Sequence, residues 1–223
     1  MGRLGLVGCL IAVVVILLIV GLVFGGWYIG TRNKLVGLDE AVNAQWGQVQ
    51  NDYQRRYDLI PNLVNTVKGY AAHERETFEA VTNARARVGQ VAMPSGPPGS
   101  ATDITSNPQA LAQYEQAQAS LGNALSRLLV VVERYPELKA NQNFLELQSQ
   151  LEGTENRIAV ERKRYNDKAQ DYNTTIRQFP GSIVASMSGF KPKAYFQTTN
   201  PAANEAPKVD FGTTPTTTTA PAR

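Results

Sequence analysis

From Leu35 to Ala71 apolar side chains recur at steps of three and four residues, and a proline sits inside the run. The positions are Leu35, Leu38, Val42, Trp46, Val49, Tyr53, Tyr57, Ile60, Val64, Val67 and Ala71. That is the period of a helix with one buried stripe. Phe78, Val81 and Val88 carry the rhythm on toward residue 92. A single helix of that length would reach about 90 Å, longer than a compact domain. A partner helix must therefore cover most of the stripe. Pro61 lacks an N–H and its ring crowds the preceding turn, which predicts a kink or a break there. The segment is then one long helix or two joined at Pro61. Asp58, three residues earlier, is placed to cap a restarted helix.

The Met93–Ser100 stretch, with Pro94, Gly96, Pro97, Pro98 and Gly99, cannot stay helical, so a loop is expected over 93–108. A second helical pattern follows: Leu111, Tyr114, Leu121, Leu125, Leu128, Val132 and Tyr135, interrupted by Pro136. A third runs through Phe144, Leu147, Leu151, Ile158, Tyr165, Ala169, Tyr172, Ile176 and Phe179, and Pro180 ends it. Its spacing is close to a heptad, with Glu155 and Arg162 on the same seam. Ile183, Val184, Met187 and Phe190 predict a short amphipathic helix, stopped by Gly189 and folded back onto the others. No run alternates polar and apolar residues, and Val130-Val131-Val132 lies inside a helical pattern. The expected fold is all-α. It is an antiparallel bundle of three main helices, the first kinked or broken near Pro61, with a short C-terminal helix.

Ahead of the bundle, Leu4 to Phe24 carry no charged side chain. As a helix they span roughly 30 Å, the thickness of a bilayer core. Trp27 and Tyr28 follow at interface depth. A cleaved signal has an apolar region of only about 7–15 residues and a small-x-small site, which Gly25-Gly26-Trp27 does not supply. A single-pass transmembrane anchor is the better reading. Cys9 lies within it, so no intrachain disulfide can form. Leu6-Val7-Gly8-Cys9 resembles a lipidation box, but too few apolar residues precede it. Gly21 and Gly25 form a G-x-x-x-G pair, which lets two membrane helices approach closely and argues for a homo-oligomer.

These features divide the chain into an anchor and glycine collar (1–30), a helical bundle (31–196) and a Thr/Pro-rich disordered tail (197–223). The 22 cations against 19 acids give a net charge of +3, too small to point to nucleic acid. Arg3 and the amino terminus flank one side of the anchor, Arg32 and Lys34 the other. The positive-inside comparison nearly ties, and the side of the bundle stays undetermined. The Thr/Pro tail leans toward the extracytoplasmic face.

Reactive chemistry is hard to assemble. His73 is the single histidine, and no second one follows it at metalloprotease spacing. One histidine and one membrane-buried cysteine cannot build a typical zinc site, so no metal or cofactor is expected. His73 reads as a surface or helix-end residue, and Glu74, Glu76 and Glu79 as a solvated face. No phosphate-cradling glycine loop is present. The expectation is a protein without enzymatic activity.

Polar residues on the apolar seams are the candidate interaction site. Arg55, Arg56, Asp58 and Asn62 lie on the first helix; Asn156, Arg157, Tyr165, Asn166, Tyr172 and Asn173 lie on the third. Tyr165-Asn166 and Tyr172-Asn173 are one heptad apart. Inter-helix hydrogen bonds and ion pairs that set register are one reading. The other is a shared pocket where Arg55 and Arg56 face Asn156 and Arg157 and hold an anionic ligand or a partner's carboxylate.

The run Arg55-Arg56-Tyr57-Asp58-Leu59-Ile60-Pro61-Asn62-Leu63-Val64, continued to Glu74, closely resembles the LemA family of bacterial membrane proteins. Glu137 to Phe144, Leu151 to Ala159, Arg164-Tyr165-Asn166, Tyr172-Asn173, Phe179-Pro180, Gly189-Phe190-Lys191-Pro192, Tyr195-Phe196 and Val209-Asp210-Phe211 carry the same likeness. The resemblance implies an N-terminally anchored helical protein of the bacterial cell membrane with no established enzymatic activity. Some such relatives shape internal membranes; others are encoded beside membrane proteases or TPM-domain proteins. The expected role is a self-associating scaffold that organises membrane or membrane proteins. An adaptor for a membrane protease or a TPM-domain envelope protein is the alternative. The expected partners are the lipid membrane, a second copy and a membrane protein, with no nucleic acid.

Overall fold

The computed structural model describes residues 3–92 and 104–197. The tail beyond Gln197 and most of the expected 93–108 loop lie outside the described residues. Six α-helices follow in order: α1 (Arg3–Tyr70), α2 (Arg75–Ala92), α3 (Pro108–Val132), α4 (Pro136–Lys139), α5 (Gln142–Arg177) and α6 (Gly181–Ser188). A 3-10 turn, Ile104–Ser106, precedes α3. Among the described residues there is no strand. The all-α bundle is the observed fold.

α1 is 68 residues long, about 100 Å of helix. It passes Pro61 without interruption. The helix does not restart there, so Asp58 caps nothing; its carboxylate accepts a hydrogen bond from Gln54 Nε2 at 2.8 Å. Proline at 61 frees the carbonyl of Tyr57, four residues back. Arg85 Nε donates to that carbonyl at 3.5 Å, and the Arg85 guanidinium lies 3.8 Å over the Tyr57 ring. The vacancy left by the proline is thus filled from α2.

The break comes instead at Ala71–Glu74, between α1 and α2. The expected run to residue 92 folds there into a hairpin, and α2 descends beside α1 until Gly89 meets Tyr57. This fold-back buries both stripes, which one extended helix could not do. His73 is exposed in the turn, at a helix end as its surroundings predicted.

α3 then rises, α4 makes one turn at the far end, and α5 descends antiparallel to α1. Gln45 bonds Glu161, Arg56 bonds Glu155 and Arg157 pairs with Asp52, so rising numbers on α1 meet falling numbers on α5. The far core joins Ile60, Val67, Val81, Leu121, Leu128 and Phe144. The core nearer the anchor joins Leu35, Val42, Trp46, Tyr165, Tyr172 and Val184. Below it, from Ile11 to Phe24, α1 stands uncovered, and it is long and apolar enough to cross a membrane.

α6 closes the anchor end. A Cβ on Gly181 would lie 2.1 Å from the Thr175 carbonyl oxygen, so only glycine permits that approach. Gly189 ends α6 at φ 76°, in the left-handed region, and its N–H returns to Ala185 O.

Candidate interaction site

The two Tyr–Asn pairs of α5 face a segment of the chain itself. After Gly189 the backbone turns upward as an extended strap, Lys191–Gln197, antiparallel to α5. An extended segment with no neighbouring strand leaves its N–H and C=O groups without partners, and burial makes each one costly. α5 supplies those partners from side chains. Asn173 Nδ2 donates to Lys193 O at 2.8 Å, and its Oδ1 accepts from Lys193 N at 2.8 Å. Asn166 repeats the arrangement with Phe196, at 3.0 and 2.9 Å. Tyr172 Oη donates to Lys191 O and Tyr165 Oη to Ala194 O, each at 3.0 Å.

The spacing explains the match. Seven residues of helix advance about 10.5 Å, and three residues of extended chain advance about 10 Å. A heptad on α5 therefore meets a triplet on the strap. On the opposite edge, Ala194 N donates to Thr105 O at 2.6 Å.

The strap's side chains complete the lower core. Phe196 stacks on Trp46 with centroids 5.7 Å apart and meets Tyr165 edge-on at 5.2 Å. The Arg162 guanidinium sits 4.6 Å over the same ring. Lys193 is buried, and its ammonium reaches Asp39 and Thr105 at 3.0 Å and Asn43 at 3.4 Å. Glu115 accepts hydrogen bonds from Arg162 and from Gln197 N. Burial pushes the Glu115 carboxyl above its usual range, and the Arg162 charge only partly opposes this. Burial likewise raises the phenols of Tyr53 and Tyr114.

The other predicted residues do not converge. Arg56 is buried, its guanidinium held by both oxygens of Glu155 (2.9 and 3.1 Å) and by the side chain and carbonyl of Gln118. It also lies 5.1 Å from the Tyr53 centroid, and its Nε is without a partner. Arg55, Asp58, Asn62, Asn156 and Arg157 are exposed. Arg157 reaches Asp52 at 3.5 Å. The expected pocket with Arg55 and Arg56 facing Asn156 and Arg157 is not formed. Consecutive helical residues point about 100° apart, so only one of each pair can face the partner helix. The nearest cleft, about 520 Å³, is lined by Tyr53, Tyr57, Tyr114, Gln50 and Gln118 among other uncharged residues. Gly21 and Gly25 have open space where a Cβ would stand.

Sequence reasoning missed Lys193, Asp39, Gln118 and Trp46 as parts of this site. A lysine between a proline and an alanine gives no signal of burial. The Tyr–Asn repeat itself was visible, but its partner lay twenty to thirty residues downstream without a pattern of its own.

Residues 45–211 match the LemA family. Magnetosome protein MamQ 2 of Paramagnetospirillum magneticum is 31% identical over 175 residues, covering 74% of this chain and 64% of that protein. Magnetosome protein MamQ of Magnetospirillum gryphiswaldense is 30% identical over 174 residues, with the same coverage. Protein LemA of Metamycoplasma hominis is 24% identical over 186 residues, covering 83% of this chain and 75% of that protein. The chain spans a little under two thirds of the length of the MamQ proteins it matches. With the strap and both Tyr–Asn pairs inside the matched region, this chain belongs to the LemA family.

Proposed function

We propose that the protein is a single-pass, membrane-anchored helical scaffold of the bacterial envelope that self-associates and organises membrane or membrane proteins. One observation carries the reading: α1 is one helix from the uncovered apolar run to the far turn. A flexible collar at Gly25, Gly26 and Gly30 was expected, yet the helix runs through all three. Anchor and bundle are therefore mechanically one element, as a scaffold that transmits position from lipid to protein requires. The open faces of Gly21 and Gly25 support pairing of anchors. The strap and its Tyr–Asn clamps serve the bundle's integrity in this reading, and no cofactor or nucleic acid takes part. The relatives named as magnetosome proteins fit it. The Thr/Pro-rich composition of residues 197–223 leans this reading toward a bundle on the extracytoplasmic face.

Crosslinking in native membranes, followed by sizing in mild detergent and mass spectrometry, tests the proposal. Homo-oligomers that shrink in the Gly21→Leu, Gly25→Leu variant are expected. Monomers alone, with no adduct, sink it. Stoichiometric capture of one membrane protease or TPM-domain protein, without homo-oligomers, establishes the adaptor instead.

A further inference from the structure

α5 brings the chain down to the anchor end, and α6 lies across that end. Its inner face, Val184 and Ala185, is buried in the same core as Leu35. Ser188 Oγ lies 3.0 Å from Tyr28 Oη. Tyr28 is four residues past Phe24, where the aliphatic run ends, and so about 6 Å along the helix axis. α6 is thus level with the aromatic pair that marks the headgroup zone.

The outer face of α6 is apolar and bare. Ile183 and Met187, one turn apart on α6, are 42% and 68% exposed, and Phe179, in the turn just before the helix, is 80% exposed. Single exposed apolar residues are ordinary, but three within nine residues at one end of the bundle mark a contact surface. The described charges nearest it in sequence are cations. From Tyr172 to Gln197 there is no acid, and none occurs on α1 before Asp39. Arg32, Lys34, Arg177 and Lys191 are all exposed. Asp39 is held by Lys193, and the exposed acids nearest in sequence are Glu40 and Asp171. Exposed apolar side chains with exposed cations near them in the chain are the pattern of a helix lying in an anionic interface.

The geometry points to α6 as a second membrane contact: Phe179, Ile183 and Met187 enter the headgroup–acyl boundary beside the span, and Arg32, Lys34, Arg177 and Lys191 meet anionic headgroups. The occupant is the leaflet into which α1 runs, because the Tyr28–Ser188 contact sets α6 beside the end of the apolar run. The inference rests on the reading of α1 as a membrane span. Its consequence is that the bundle is held at a fixed tilt by two contacts rather than pivoting on one.

The test uses the full chain in vesicles of phosphatidylcholine with phosphatidylglycerol. A polarity-sensitive fluorophore is placed by Cys9→Ser with Met187→Cys, and lipid spin labels act as quenchers. Val130 is the control, since it is also 68% exposed but stands at the far end of α3. A third label at Leu17→Cys reports the span. Blue-shifted emission and severalfold stronger lipid quenching at 187 than at 130 are expected. Arg177→Glu with Lys191→Glu should reduce quenching at 187 and leave it unchanged at 17. A label at 187 that behaves like 130 while 17 is quenched overturns the α6 contact alone. Loss of quenching at 17 overturns the span, and the contact with it. A dry label at 187 that lipid does not quench, and that becomes wet on dilution in vesicles, shows an interface between copies and also overturns the proposal. Quenching at 187 that survives the charge reversals overturns the role of anionic headgroups.

Discussion

Asn166 and Asn173 each do with one side chain what a neighbouring strand does with its backbone. Each offers a donor and an acceptor to the same strap residue, so removing the amide leaves two backbone groups without partners. Asn173 is 2% exposed, and water cannot replace it. Asn173→Ala is expected to lower stability by about 2–4 kcal/mol and to speed hydrogen exchange at the Lys193 amide. Unchanged thermal unfolding and unchanged exchange would remove the clamp from the account. Glu115 makes a pH-dependent contribution of the opposite sign to an ordinary ion-paired acid. Its carboxyl titrates above the ordinary 4.5 because burial outweighs Arg162. The folded state therefore holds this proton more tightly than the unfolded chain does. Its contribution to stability is full below 4.5 and is lost as pH rises through the raised value. Glu115→Gln cannot titrate, so the stability of the variant relative to the parent should rise across that window. Denaturant midpoints on either side of the window measure it, and a difference that does not vary with pH refutes the sign.

Among the elements, α1 and α2 show how a residue that breaks a helix can instead dock one. Pro61 removes the N–H that would have reached the Tyr57 carbonyl, and Arg85 of α2 reaches it instead. A double-mutant cycle separates this bond from the guanidinium's stacking on the Tyr57 ring. Pro61→Ala restores the backbone donor, so Arg85→Ala should be less damaging in that background, with a coupling of roughly 0.5–1.5 kcal/mol. Additive effects would mean that the contact at 3.5 Å carries no energy. The same elements mark what the sequence could reveal. Helix stripes, the stops at Pro180 and Gly189, and the seam through Glu155 and Arg162 follow from periodicity and capping chemistry, which are local. The hairpin at Ala71–Glu74 does not, because Val67, Ala71 and Phe78 keep helical rhythm across the turn. What demands the turn is that the two stripes are covered by different helices, that of α1 chiefly by α5 and that of α2 by α3. The site divides in the same way. Tyr165, Asn166, Tyr172 and Asn173 stood out as a heptad repeat. The strap they hold has no period, and buried Lys193 looks in sequence like a solvated cation.

At the scale of the whole molecule, the strap is the last described segment of the chain and touches α1, α3, α5 and the 3-10 turn around the anchor-end core. It bonds α5 through four side chains and the 3-10 turn through Ala194. It reaches α1 through Lys193 and Asp39, and it stacks Phe196 on Trp46. Burial of Phe196 alone contributes about 2 kcal/mol. The far core shares none of these contacts. Two truncations of the full chain therefore divide cleanly. Ending the chain after Gln197 keeps every strap contact described above, and its unfolding midpoint should stay that of the parent, as the Thr/Pro-rich composition of 197–223 predicts. Ending it after Gly189 removes the strap, exposes one face of Trp46, strands the amides of Asn166 and Asn173 and takes Lys193 from Asp39. A lower midpoint and red-shifted tryptophan emission are expected, with helical circular dichroism largely kept because the far core and the α1–α2 hairpin remain packed. Trp27, the only other tryptophan, lies beside the anchor, so an emission change reports chiefly on Trp46. If both truncations unfold alike, and emission does not move, the strap is a passenger on the bundle and α5 must be held to α1 by its own apolar stripe alone.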